Sequence, residues 1–282
     1  MNAACVYTNQ HSETLKLVFA LYFRILKTPE VPQQLLASAL HGIVLYAHYV
    51  SVDFFRDLVQ VLRNLLADAM TAVESATAWH EEDIRAAPLH KGLRGALYCI
   101  VAALELLKGQ GESLQVDVGD FFVALYQLLP YLSMSTCFEE AGSGVARGMR
   151  TQSEADLLFH ALDLGMVKVP RNAVNVSVER TAAIVKRLLT AALQWPTPSV
   201  LRALRITHTI LGRVVPVYSR IEALLDTRET VHDGQFDAYA RMPESARVLA
   251  AGEAAWELFA LAQSHANSQV RETAAALLDW SP

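Results

Sequence analysis

The chain has 282 residues, 52% of them hydrophobic and 19% charged, with a formal net charge of -5. A fold of this length buries about three quarters of its unfolded surface, and an acidic balance excludes a broad electrostatic hold on phosphate backbones, which requires clustered Lys and Arg. The longest apolar runs, such as 93–107 with Arg94 and Glu105 inside it, fall short of the ~20 residues that span a bilayer, so no contact with a membrane is expected.

Apolar residues recur at three- and four-residue spacing almost throughout, without the strict alternation of a half-buried strand. The spacing predicts helices in series, beginning over 12–27. Leu35, Leu36, Ala39, Leu40, Ile43, Val44 and Ala47 put a wide apolar face on a helix from Pro32 to about Tyr49. Ser51 is the expected N-cap of the next, where Phe54, Phe55, Leu58, Val59, Leu62, Leu65 and Leu66 continue the pattern to about Asp68. Further helices are expected over 89–108, 118–132, 153–164, 178–193, 198–214, 216–225, 246–263 and 267–279. Thr197-Pro198 is the sharpest start signal, because threonine caps free N–H groups and proline suits the first turn.

Three connections interrupt the pattern. Residues 71–88 and 139–151 are expected as exposed loops, the second for its Glu-Glu-Ala-Gly-Ser-Gly run. Residues 226–243, with Asp233-Gly234 and the aromatics Phe236 and Tyr239, are expected to be irregular yet packed. Short-looped helices that cannot bury their faces alone imply stacking of neighbours. The expected fold is a single all-α domain over 1–282, an irregular HEAT/armadillo-like helical repeat solenoid.

Chemistry-bearing residues are scattered. Cys5, Cys99 and Cys137 share no CxxC spacing, which suits a reducing compartment, and Cys99 sits in an apolar helix. The N-terminus from Met1 to Glu13 lacks the pattern of a secretory signal. His41 and His48 stand two turns apart, and His80-Glu81-Glu82-Asp83 is rich in ligands, yet neither HExxH nor a Cys/His cluster occurs. His232-Asp233 is similar to the His-Asp pair of helical metal-dependent phosphohydrolases, which need further ligands from neighbouring helices, and His160, Asp163 and His208 are candidates without a motif to support them. Gly142, Gly144 and Gly148 miss the phosphate-loop pattern, and the pairs Glu81-Glu82 and Glu139-Glu140 read as solvated charge. No catalytic, metal or cofactor site is expected.

Five segments, in order, carry a resemblance. They are Leu21 to Lys27; the hairpin from Leu40 to Leu58, with Tyr46, His48, Phe54 and Phe55; Arg94 to Val101 followed by Asp120-Phe121-Phe122; Lys186-Arg187-Leu188; and a C-terminal block of Trp256-Glu257-Leu258, His265 and Val270-Arg271. Together they resemble the nucleolar complex-associated family, whose members carry the CCAAT-binding-factor domain. The resemblance covers nearly all of this chain and the C-terminal portion of a typical member. It implies a non-enzymatic scaffold in nucleus and nucleolus, serving maturation and intranuclear transport of large-subunit ribosomal precursors. The implied partners are a nucleolar complex protein 2-like protein and the precursor particles, with RNA contacted weakly or indirectly.

The motif residues Tyr46, His48, Phe54, Phe55, Trp256, Glu257, His265 and Arg271 are expected to act in structure. Trp256 should bury about 200 Å2, and Arg271 should reach back across the preceding turn. Two competing readings remain: a general helical-repeat adaptor outside ribosome assembly, and the helical phosphohydrolase.

Overall fold

The computed structural model describes residues 3–28, 32–46, 52–77, 86–110, 119–140, 152–168, 177–214, 219–225 and 235–279. Ten α-helices occur among them: α1 (Ala3–Leu26), α2 (Gln33–Tyr46), α3 (Val52–Thr77), α4 (Ala86–Gln110), α5 (Gly119–Ser133), α6 (Glu154–Leu162), α7 (Val178–Ala192), α8 (Thr197–Val214), α9 (Trp256–Ser264) and α10 (Ser268–Leu278). No strand occurs among the described residues, and the chain is all-α as its periodicity requires.

The helices stack in sequence. α1 lies on α2, and α2 and α3 lie on α4, which also meets α5 and α6. From there α5 leads to α7, α6 and α7 to α8, and α8 to the terminal pair α9 and α10. Each contact joins apolar stripes that neither helix could leave in water. Leu93, Leu97, Ile100 and Leu104 of α4, Phe121, Leu125, Leu128 and Leu132 of α5, and Ile184, Val185, Leu188 and Leu189 of α7 are sealed from solvent.

Local chemistry sets the helix starts. Ser153 caps α6 through a reciprocal box, its Oγ accepting from Asp156 N at 3.0 Å while its own N–H donates to Asp156 Oδ2. Ser177 Oγ accepts from Arg180 N at the head of α7, and Asn267 Oδ1 accepts from Gln269 N and Val270 N at the head of α10. α8 begins at Thr197, but its free donors are met from elsewhere in the chain. Ser199 N and Ser199 Oγ both donate to Glu139 Oε1, at 3.1 and 2.5 Å. Glu139 is therefore an acid at a helix N-terminus, where the dipole favours it, rather than a free charge.

Several boundaries differ from expectation. Residues 71–77 are helix: Val73 extends the buried stripe of Leu62 and Leu66, and the hydroxyls of Thr71 and Thr77 bond the carbonyls of Ala67 and Val73 one turn back. Residues 86–88 likewise belong to α4. Of the other expected loop positions, 78–85, 141–151 and 226–234 lie outside the described residues, as do Ser51 and the glycine run.

The expected helix over 246–263 starts only at Trp256, because Arg247 and Gly252 take positive φ of 54° and 67°. The irregular chain is tied to other elements instead, with Leu249 N donating to Glu179 and Ala255 N to Leu224 O. Residues 216–225 supply a short 3-10 turn, Ser219–Leu224. Ala240 is buried and Phe236 half-buried in the last connection, whereas Tyr239 stands 93% exposed.

Candidate functional site

The most concentrated polar chemistry lies under the C-terminal layer. Lys186 falls on the apolar stripe of α7, one turn from Ala182 and from Leu189, so the helix carries an ammonium into the core. Its Nζ donates to Ala254 O at 2.6 Å and to Glu257 Oε2 at 3.0 Å, and stands 3.0 Å from Glu253 Oε1. The other oxygen of Glu257 accepts from Thr190 Oγ1 at 2.6 Å. Lys186 and Glu253 are buried and Glu257 is 0% exposed. A charge removed from water persists only when paired and hydrogen-bonded, and all three satisfy that condition. Trp256 covers the cluster, its ring centroid 5.3 Å from Nζ.

Arg187, the next residue, fastens the irregular segment. Its guanidinium lies 3.5 Å from the Tyr126 ring centroid, and Nη2 donates to Ala238 O and Ala240 O at 2.7 and 3.1 Å. Burial pulls Arg187 below the usual arginine value. Burial pushes the Tyr126 phenol up, with Arg187 opposing and Asp237 adding to the shift.

A second cluster joins α4, the turn after α5, and α6. His90 Nδ1 meets Glu154 Oε1 at 2.9 Å, and Ser135 Oγ donates to Glu154 Oε2 at 2.6 Å. Thr136 Oγ1 stands 3.5 Å from His90 Nε2, which completes the order of hydroxyl, imidazole and carboxylate. Arg94 donates to Gln152 O beside it, so the cluster cross-links three segments of chain.

The described motif residues fall in two groups, one on α2 and α3 and one along α9, α10 and the turn between them. Phe55 is sealed in the core between α3 and its neighbours, and Tyr46 closes α2 half-exposed. His48 and the Phe54 side chain lie outside the described residues. Trp256 departs from expectation: its ring is 51% exposed, because α9 turns its opposite face, with Glu257, Leu258 and Leu261, into the core. Arg271 Nη1 donates to the carbonyls of His265 and Ala266 at 2.7 and 3.0 Å, across the α9–α10 turn. His265 Nδ1 accepts from Asn267 N in the same turn.

The residues offered for a phosphohydrolase are engaged separately. His160 Nε2 meets Glu105 Oε1 at 2.9 Å, and Asp163 meets Lys168 at 2.5 Å across the π-helical turn Asp163–Lys168. His208 is on the exposed face of α8, and His232 and Asp233 lie outside the described residues. No group of three potential ligands is placed to hold a metal among the described residues. The Cys99 thiol is pushed up to about 12 by burial.

The sequence reading missed the Lys186 cluster and the Glu139 cap. A lysine on an otherwise apolar helix stripe was the available signal for the first. Nothing in local pattern announces the second, since Glu139 and Ser199 are 60 residues apart.

The remaining surface carries large apolar side chains at both ends of the stack: Leu17, Leu21 and Leu45 on α1 and α2, and Trp256 and Phe259 on α9. No described helix is long and apolar enough to cross a membrane.

Sequence comparison relates the chain to known proteins. The chain is 33% identical over 273 residues to the nucleolar complex protein 3 homolog of Mus musculus and 30% identical over 272 residues to that of Homo sapiens. It is 26% identical over 244 residues to nucleolar complex-associated protein 3 of Saccharomyces cerevisiae. The mammalian alignments cover 96% of this chain and the yeast one 82%. The chain spans about 28% of the length of the mammalian relatives and 33% of the yeast one. The CBF/Mak21 family profile matches residues 96–274, from the centre of α4 to α10, and the chain belongs to the CBF/Mak21 family.

Proposed function

We propose that this chain is a non-enzymatic helical scaffold of nucleolar ribosome assembly, acting on precursors of the large subunit and their movement within the nucleus. The observation that carries this reading is similarity over 96% of the chain to proteins named for a nucleolar complex. The partners are a nucleolar complex protein 2-like protein and the precursor particle. RNA is met weakly or through that partner, since the chain carries 29 acidic against 24 basic side chains. The buried ionisable clusters support a structural use of its polar residues, each being occupied in fastening one element to another.

The test is expression of the tagged chain in cells. The expected result is a nucleolar signal and recovery of nucleolar complex protein 2 with large-subunit precursor RNA. A diffuse cytoplasmic signal with neither recovered would replace this reading with that of a general helical adaptor. Phosphatase activity of the purified chain, abolished by a chelator, would replace it with an enzyme.

A further inference from the structure

We propose that the outer face of α8 is a contact for a single RNA strand, held at its phosphates by Arg205 with Arg213 and His208 beside it. The inference rests on the scaffold reading and deepens it by giving the weak RNA contact a surface. The chain is acidic as a whole, yet no carboxylate occurs between Glu179 and Glu222. Within that stretch Lys186 and Arg187 of α7 turn inward, the first to its buried acids and the second to the carbonyls of Ala238 and Ala240. The cations of α8 turn outward.

Spacing puts them on one face. Arg202, Arg205, Thr209 and Arg213 follow one another at three and four residues, over about 16 Å of helix axis, which is long enough for more than one phosphate of a strand. The buried stripe of Val200, Ala203, Leu204, Thr207, Ile210 and Leu211 takes the opposite side. Arg205, His208, Thr209 and Gly212 are exposed, and Arg202 and Arg213 half-buried. The acids of the neighbouring elements are already committed or turned away. Glu139 caps the head of α8 through Ser199, Asp156 pairs with Arg202 at 2.8 Å, and Asp163 is held by Lys168. Glu272 stands on the side of α10 opposite its buried Val270, Ala274 and Leu277. Arg205 gives one N–H to Leu201 O, a turn back, and forms no ion pair among the described residues, which leaves most of its five donors for a ligand.

Composition decides between RNA and a protein helix. No large apolar side chain is exposed on α8, so a protein helix would find nothing there to bury, whereas the cores of protein interfaces are apolar. Interfaces with nucleic acid are polar and positive, and a guanidinium fork matches two phosphate oxygens at once. One exposed arginine with an arginine and a histidine beside it makes the hold local and weak, in keeping with the charge of the whole chain.

The probe is a labelled oligouridine titrated against the full chain at low salt by fluorescence anisotropy, each variant being used with a circular dichroism spectrum unchanged from the parent. Arg205→Glu should weaken binding at least about tenfold. Arg205→Ala should flatten the slope of log K against log salt by about 0.7, the share of one phosphate on a single strand. Arg205→Lys, which keeps the charge, should retain most of the affinity. Arg56→Glu, an equal change of charge at an exposed position of α3, should leave binding as it was.

No binding by the parent, full affinity in Arg205→Glu, or an equal loss from Arg56→Glu would overturn the proposal. So would a glutamate-rich helical peptide that displaces the RNA and itself binds more tightly. In cells the Arg205→Glu chain should still reach the nucleolus and recover nucleolar complex protein 2, while its ultraviolet cross-links to precursor RNA fall. Unchanged cross-links would sink this surface and leave the scaffold reading standing. A parent chain that held oligouridine through Arg205 yet stayed out of the nucleolus would do the reverse.

Discussion

Lys186 holds the C-terminal layer to α7 through one backbone carbonyl and two carboxylates, and its removal strands both acids in a place without water. Lys186→Met should therefore cost about 3–5 kcal/mol in urea unfolding. Part of that loss should return when Glu253→Gln and Glu257→Gln are added, because the desolvated charges are then gone. Trp256→Ala should cost less, about 2 kcal/mol, since only half of a side chain worth about 200 Å2 is withdrawn from solvent. A Trp256→Ala loss equal to that of Lys186→Met would mean that the ring is a core residue after all.

At the scale of elements, the α3–α4 crossing depends on one glycine. A Cβ on Gly92 would lie 2.8 Å from Val73 Cγ2 and 3.2 Å from Ala69 O, so the two helices would have to separate. One turn along, a Cβ on Gly95 would meet Ala69 Cβ at an ordinary 3.7 Å. Gly92→Ala should thus destabilise by about 1–3 kcal/mol, while Gly95→Ala should stabilise by about 0.5–1 kcal/mol through helix propensity alone. Thermal melting of the two variants measures both signs.

The capping box of α6 makes a separate prediction. Burial works against the Asp156 carboxylate, but hydrogen bonds from Arg202 and Ser153 prevail and hold its pKa below the ordinary 3.8. A carboxylate depressed in the folded state contributes stability that is complete above the unfolded value and is lost as pH falls through the folded one. The urea midpoint of the parent should fall more as pH drops below the ordinary 3.8 than the midpoint of Asp156→Asn. Parallel curves for the two proteins would refute the assignment.

These elements also show what pattern could reveal. The period of three and four residues located α5, α7 and α10 closely, because each has an apolar stripe bounded by its own cap or break. It failed from 246 to 255, where Val248, Ala251 and Ala254 are buried without a helix. Burial there is set by contacts with α7 and the 3-10 turn at Leu224, which periodicity does not encode. The motif residues of the C-terminal block were legible as text. Their roles were not: Glu257 is the buried anchor and Trp256 the partly exposed cover, a division decided by which face of α9 meets α7 and α10.

Over the whole molecule, stability should follow position in the stack. In a chain of layers each element is held chiefly by its neighbours, so opening costs least where neighbours are few. α1 packs chiefly on α2, whereas α5 meets α3, α4 and α7 and seals Phe121, Leu125, Leu128 and Leu132 within them. Native-state hydrogen exchange should therefore release the amides of α1 first, at a free energy well below global unfolding, and those of α5 and α7 last. Cys99, sealed in α4 with its thiol held neutral by burial, supplies an independent reporter: its alkylation should keep pace with the slow amides of α5 and lag those of α1. If α1 and α5 exchanged at one common free energy, the chain would be a single cooperative unit, and stacking would describe its shape without governing its stability.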